Sequence, residues 1–94
     1  MTEPAVENQN TLIPLSFEEE DPTRPDQEQR LQEMSDDELR ELYWVTRRAA
    51  KEARLNRDME GMYRFVRGTK TIQRISSGRG MLISARRPES IVEA

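Results

Sequence analysis

The chain has 94 residues and a mass of 11.0 kDa, which allows one small domain at most. Charged residues make up 35% against 34% for the hydrophobic set, mean hydropathy is −0.93 and net charge is −3. Cys and His are both absent, which excludes disulfide frameworks, thiolate or imidazole metal sites and His-based catalysis, and no apolar run approaches the ~20 residues of a membrane helix.

The small net charge is the sum of two opposed halves. Residues 1–46 carry thirteen acids and three bases (Arg24, Arg30, Arg40), net −10, while residues 47–94 carry five acids and twelve bases, net +7. Such asymmetry points to an acidic tail and to contact with polyanions.

Residues 1–34 are expected to be a largely disordered acidic leader. Met1-Thr2-Glu3-Pro4 does not have the character of a secretory signal, so a cytoplasmic location is expected. Pro4, Pro14, Pro22 and Pro25 break helices, and Glu, Gln, Asn and Asp dominate the rest. Two islands interrupt this leader. Asp26 to Met34 suits a short or nascent helix. Leu12-Ile13-Pro14-Leu15-Ser16-Phe17 is an apolar hexamer leading directly into Glu18-Glu19-Glu20-Asp21. Leu12, Ile13, Leu15 and Phe17 are candidates for a linear motif that adds to a sheet edge or fills a groove. Alternatively the hexamer folds back over the helices, laying the acids on a basic face as an electrostatic competitor, or it is leader and nothing more.

The first strong helix signal is Ser35 with Glu38 three residues on, a capping box, with Asp36 and Asp37 where the helix dipole favours anions. At 100° per residue, Leu39, Leu42, Tyr43, Thr46, Ala49, Ala50 and Ala53 fall in an arc of about 120°, the width of a buried stripe. Leu55-Asn56-Arg57-Asp58 reads as a break, with Asn56 or Asp58 capping a second helix; one uninterrupted helix is the competing reading. The stripe resumes with Met59, Met62, Tyr63, Val66, Thr69 and Ile72, and ends near Ser76-Ser77-Gly78, with glycine supplying the C-cap. Residues 77–94 are expected to be a flexible arm in which Met81-Leu82-Ile83-Ser84 docks or extends. The fold class is therefore all-α: a helical hairpin over 35–76 between an acidic N-terminal tail and a flexible C-terminal arm. Two helices alone bury too little to stand unaided, so a homo-oligomer or an obligate protein partner is expected.

Three further groups of residues could carry function. Arg40, Arg47, Arg48, Lys51 and Arg54 lie opposite the apolar stripe of the first helix, with Trp44 among them; cations around an indole suit an interface anchor or stacking on a base. Arg64, Arg67, Lys70 and Arg74 continue the charge on the second helix, so that residues 40–74 hold ten bases and four acids. With Tyr43 and Phe65 these residues form the candidate partner-binding set. Gly61 and Gly68, seven apart and beside Ile72 and Ile75, suggest a face for self-association. Ser77-Gly78-Arg79-Gly80 lacks the Gly-Lys-Ser/Thr ending of a phosphate loop and reads as a linker. Asp36, Asp37 and Glu38 are explained by helix capping.

No catalytic residue, cofactor, metal site, small-molecule substrate or membrane contact is indicated, and no motif is specific enough to assign a family. The expectation is a small non-enzymatic adaptor or regulator that binds a larger protein or ribonucleoprotein assembly through the hairpin. Direct binding of RNA or DNA by the arginine face around Trp44 is one alternative. A self-associating scaffold is another.

Overall fold

A computed structural model describes residues 12–81 and residue 83. These residues form three helices and no strand: α1 (Arg24–Gln32), α2 (Asp36–Leu55) and α3 (Met59–Gly78). The all-α class read from the pattern holds. The expected leader residues 1–11 and the arm residues 82 and 84–94 lie outside the described residues.

Helix α2 begins as its sequence dictates. The Ser35 hydroxyl accepts from the Glu38 N–H at 3.1 Å, and the Glu38 carboxylate accepts from the Ser35 N–H at 2.9 Å. Its end is set by a Schellman motif: Asp58 N–H donates to Ala53 C=O at 2.8 Å and Arg57 N–H to Arg54 C=O at 3.0 Å. That motif needs a left-handed residue, and Arg57 supplies it with φ 65°. The chain then turns straight into α3, where the Asp58 carboxylate caps the Gly61 N–H at 3.0 Å. The break at 56–58 is thus real, and α2 and α3 pack on each other as a hairpin.

The end of α3 differs from the sequence reading. Gly78 is still helical, and the left-handed residue is Gly80, φ 85°. Met81 N–H reaches Ser76 C=O at 3.0 Å and Gly80 N–H reaches Ser77 C=O at 2.9 Å, a second Schellman motif. Two glycines two apart make either a candidate, and the hydrogen-bond register selects the later one. The linker reading of 77–80 is corrected accordingly: 77 and 78 belong to α3. Residue 79 is also held, since Arg79 donates to Asp36 at 2.9 Å and to the carbonyls of Leu31 and Gln32 at 3.2 and 2.8 Å. Ile83 is buried, and Met81 packs on the same core.

The larger correction concerns residues 12–34, expected to be largely disordered apart from a short helix over 26–34, which forms two residues earlier at each end as α1. They supply α1 and, before it, an extended strap. Phe17 is 1% exposed, Leu15 8% and Leu31 3%, and all three join Leu39, Leu42, Tyr43, Ile72, Ile75 and Ile83 in one core. The strap lies against α2 and α3. Leu15 N–H donates to Thr46 Oγ1 at 3.0 Å, and Phe17 N–H to the Arg64 carbonyl at 3.2 Å. Arg67 returns a bond to the Phe17 carbonyl at 3.1 Å. Helix α1 has Pro25 in its first turn, where a missing N–H costs nothing. It buries only Leu31 and is otherwise tied down by polar contacts. Arg24 is the hub of these: its guanidinium stands 4.6 Å from the Phe17 ring centre, donates to Glu28 at 3.1 Å and to Thr71 Oγ1 at 2.9 Å. Glu28 also accepts from Arg74 at 2.7 Å. A disordered-looking composition still folds here, because three large apolar side chains and a set of charge-assisted bonds offset the ordering entropy.

Candidate functional site

Packing divides the nominated residues into those used inside the fold and those left outside it. Tyr43 is 2% exposed and belongs to the core, so it does not present an interface anchor. Phe65 is half-buried on α3. Trp44 is half-buried against the core, with the Tyr43 ring edge-on at 5.2 Å and the Arg47 guanidinium 5.8 Å from its ring centre. One face of the indole is thereby covered by its own helix neighbour.

The arginines of α3 are likewise engaged. Arg64 pairs with Glu18 at 3.0 Å and with Glu60 at 3.7 Å, and Arg67 holds the strap carbonyl of Phe17. Together with Glu19 and Tyr63, these side chains line a shallow cleft beside the strap. Arg40 pairs with Asp37 at 3.1 Å, on the first turn of α2.

Arg47, Arg48, Lys51 and Arg54 behave differently. All four are exposed, and none has a carboxylate within ion-pair distance among the described residues. They share one sector of α2 at 100° per residue, while Glu41 and Glu52 fall on the adjoining sector. Arg57, in the turn that follows α2, is also exposed and unpaired among the described residues. From residue 47 to residue 57 there are five bases and one acid, Glu52. The sequence indicated the basic face but not this sorting, which depends on where Glu18, Glu28 and Asp36 come to rest.

The hexamer folds back over the helices, one of the alternatives its sequence allows, and its acidic run meets the nominated basic set in part. Glu18 meets Arg64 on α3, and Asp21 closes its own turn, accepting from the Glu18 N–H at 3.0 Å and from the Thr23 N–H and hydroxyl at 2.9 and 2.6 Å. Among the described residues, neither reaches the bases of α2. Within the apolar island only part is displayed: Ile13 is 81% exposed, Leu12 is half-buried, and Leu15 and Phe17 are core.

The expected self-association face is occupied by the chain itself. A Cβ on Gly68 would stand 2.1 Å from the Leu15 carbonyl oxygen, so this glycine lets the strap lie against α3. A Cβ on Gly61 would stand 2.3 Å from the Asp58 carboxylate, so this glycine leaves room for the helix cap. Ile72 and Ile75 are in the core. Heptad spacing marks close approach, but the approaching groups, the Leu15 backbone and the Asp58 side chain, are intramolecular. Helix α1 and the strap add Leu15, Phe17 and Leu31 to the core of the two helices.

Among the described residues there is no group of three Asp or Glu that could hold a metal ion, and no helix long and apolar enough to cross a membrane. Comparison with protein-family models, curated proteins and solved structures finds no match to this chain.

Proposed function

We propose that this chain is a non-enzymatic docking module, an adaptor or regulator that attaches to a negatively charged surface of a larger protein or ribonucleoprotein assembly through the outer face of α2. The observation that carries this reading is the sorting of bases. Arg24, Arg64, Arg74 and Arg79 meet carboxylates of the strap, α1 or α2, while Arg47, Arg48, Lys51, Arg54 and Arg57 meet none among the described residues. Like charges held side by side on one helix repel by a few tenths of a kcal/mol per pair, so the row favours an outside anion. Complementary charge chiefly raises the rate of encounter and fixes orientation.

The test is affinity purification from the source organism's extract, with and without nuclease. It compares the native chain with Arg47→Glu/Arg54→Glu and with a control, Arg30→Glu, on α1. The expected result is that the partners recovered by the native chain and the control are lost from the double variant. Recovery of the same partners by the double variant would place the working surface elsewhere.

A further inference from the structure

We infer that the outer face of α2 binds the phosphate backbone of a double-stranded nucleic acid, through charge and without aromatic stacking. This rests on the reading of that face as the working surface and adds the chemistry of the partner.

The first support is what the face does not display. The exposed large apolar side chains among the described residues are Ile13, Leu55, Met59 and Tyr63, and only Leu55, the last residue of α2, is on this helix. Protein interfaces draw most of their energy from apolar and aromatic anchors buried in pockets, surrounded by a rim. The cationic sector holds the exposed Leu55 at its end and the half-buried Trp44 seated on its own core, a small apolar display beside four charges. Phosphate contact has no such requirement, because release of condensed counterions supplies the affinity. The same argument disfavours single strands, which are held by bases stacked on free aromatic rings. Tyr43 is buried and Trp44 has one face under Arg47.

The second support is spacing and residue type. Residues 47 to 54 span about 10 Å of helix axis. One strand of a duplex presents a phosphate about every 3.4 Å of rise, so about three per strand lie within reach. Arg47, Arg48 and Arg54 carry forked guanidinium groups that bind phosphate oxygens in pairs, and Lys51 adds a point charge among them.

The third support is Arg57. It sits in the left-handed conformation, φ 65°, that ends α2, a position that glycine occupies more easily. Non-glycine residues held in sparsely populated backbone regions concentrate at functional sites. Here the residue so held is a further exposed arginine, in the turn that follows α2.

The test is fluorescence anisotropy of the full chain with labelled duplex DNA and duplex RNA of about 20 base pairs, the matching single strands, and polyglutamate as an acidic polypeptide. With four phosphates neutralised, duplex affinity should fall about 100-fold between roughly 50 and 200 mM salt. In Arg48→Gln/Arg54→Gln the same salt step should cost about tenfold, while the charge-matched control Arg30→Gln/Lys70→Gln should keep the native loss. All four substituted side chains are exposed, and circular dichroism checks that the helices persist. A preference for RNA over DNA, or the reverse, supports the inference and identifies the source of the phosphates. Single strands bound more tightly than duplexes overturn it. Duplexes bound no more tightly than polyglutamate, with both weakened by Arg48→Gln/Arg54→Gln, overturn it while leaving the docking reading intact. Binding of every polyanion unchanged by that double variant overturns both.

Discussion

Arg57 and Gly68 are complementary cases of backbone fitted to side chain. Arg57 holds a left-handed conformation in which an L side chain crowds its own carbonyl. Arg57→Gly should therefore raise stability by about 1 kcal/mol, read as a higher urea midpoint with an unchanged slope. A lower midpoint would show that the arginine makes a folded-state contact worth more than the strain. Gly68 is constrained from outside, by the Leu15 carbonyl oxygen at 2.1 Å from where its Cβ would be. That neighbour is backbone and cannot swing away, so Gly68→Ala should cost about 1–3 kcal/mol. Gly78→Ala is the matched control in the same helix. Nothing lies within 4 Å of its would-be Cβ, so it should be neutral or stabilising by up to about 1 kcal/mol. Equal losses from the two substitutions would discard the close-approach account. Spacing in the sequence marks both Gly61 and Gly68 as places where something comes near. It cannot say that the visitors are Asp58 and Leu15, because neither lies on a periodic face.

At the level of elements, legibility tracked periodicity and caps. Helices α2 and α3 repeat apolar residues at helical spacing, and the signals at Ser35, Glu38 and Asp58 are local, so both helices and the break between them could be read directly. Helix α1 is legible only as a short or nascent helix over 26–34, because it buries a single apolar residue, Leu31, and lies between prolines and acids. Its attachment runs through Arg24, Glu28 and the Arg79 bonds to its C-terminal carbonyls, all at sequence separations that no window shows. The strap has no period at all; its two buried residues are recognisable only as an apolar island. The turn that joins strap to α1 carries its own titration. Asp21 is held below the ordinary value of 3.8, chiefly by the Thr23 hydroxyl, then by the N–H groups of Glu18 and Thr23. A carboxyl depressed in the folded state contributes stability above its unfolded value and loses it as pH falls through the lower folded value. The turn should stay closed down to pH 3.8 and open below it. The amide shifts of Glu18 and Thr23 in an NMR titration should share a midpoint below 3.8; a midpoint at or above that value would show that these hydrogen bonds do not form.

The whole molecule is one core with its charges sorted around it. Of the nine residues described in the core cluster, Leu15, Phe17 and Leu31 come from segments before α2. Their loss has a definite consequence for truncation. A chain starting at residue 12 keeps every described core residue and should unfold cooperatively near the native midpoint. A chain starting at residue 35 removes three of the nine, with Phe17 alone expected to cost about 3–5 kcal/mol, and should lose its cooperative transition in thermal melts. A sharp native-like melt from the shorter chain would mean that α2 and α3 suffice. Composition places this molecule at the edge of foldability, which is right for two helices by themselves. The strap and α1, expected to lie outside the domain, complete it, and among the described residues their carboxylates pair with Arg24, Arg64 and Arg74 and not with the outer row of α2.

The strap also has a history within each round of synthesis. Its seat on α3 lies 50 residues further along the chain, as the bond from Arg67 to the Phe17 carbonyl measures. At translation speeds of about 5–20 residues per second, roughly 3 to 10 s separate the two segments. During that interval Leu15 and Phe17 have nowhere to go, and the nascent chain carries an open apolar site. Glu18-Glu19-Glu20-Asp21 comes directly after them, and charges beside an unavoidable apolar stretch act as gatekeepers against aggregation. Chains stalled before residue 64 should be cut by protease at Phe17, with protection appearing once α3 has cleared the ribosome. The acidic run that gives the finished fold the Glu18–Arg64 pair and the Asp21 turn should also slow aggregation of the strap on the way there.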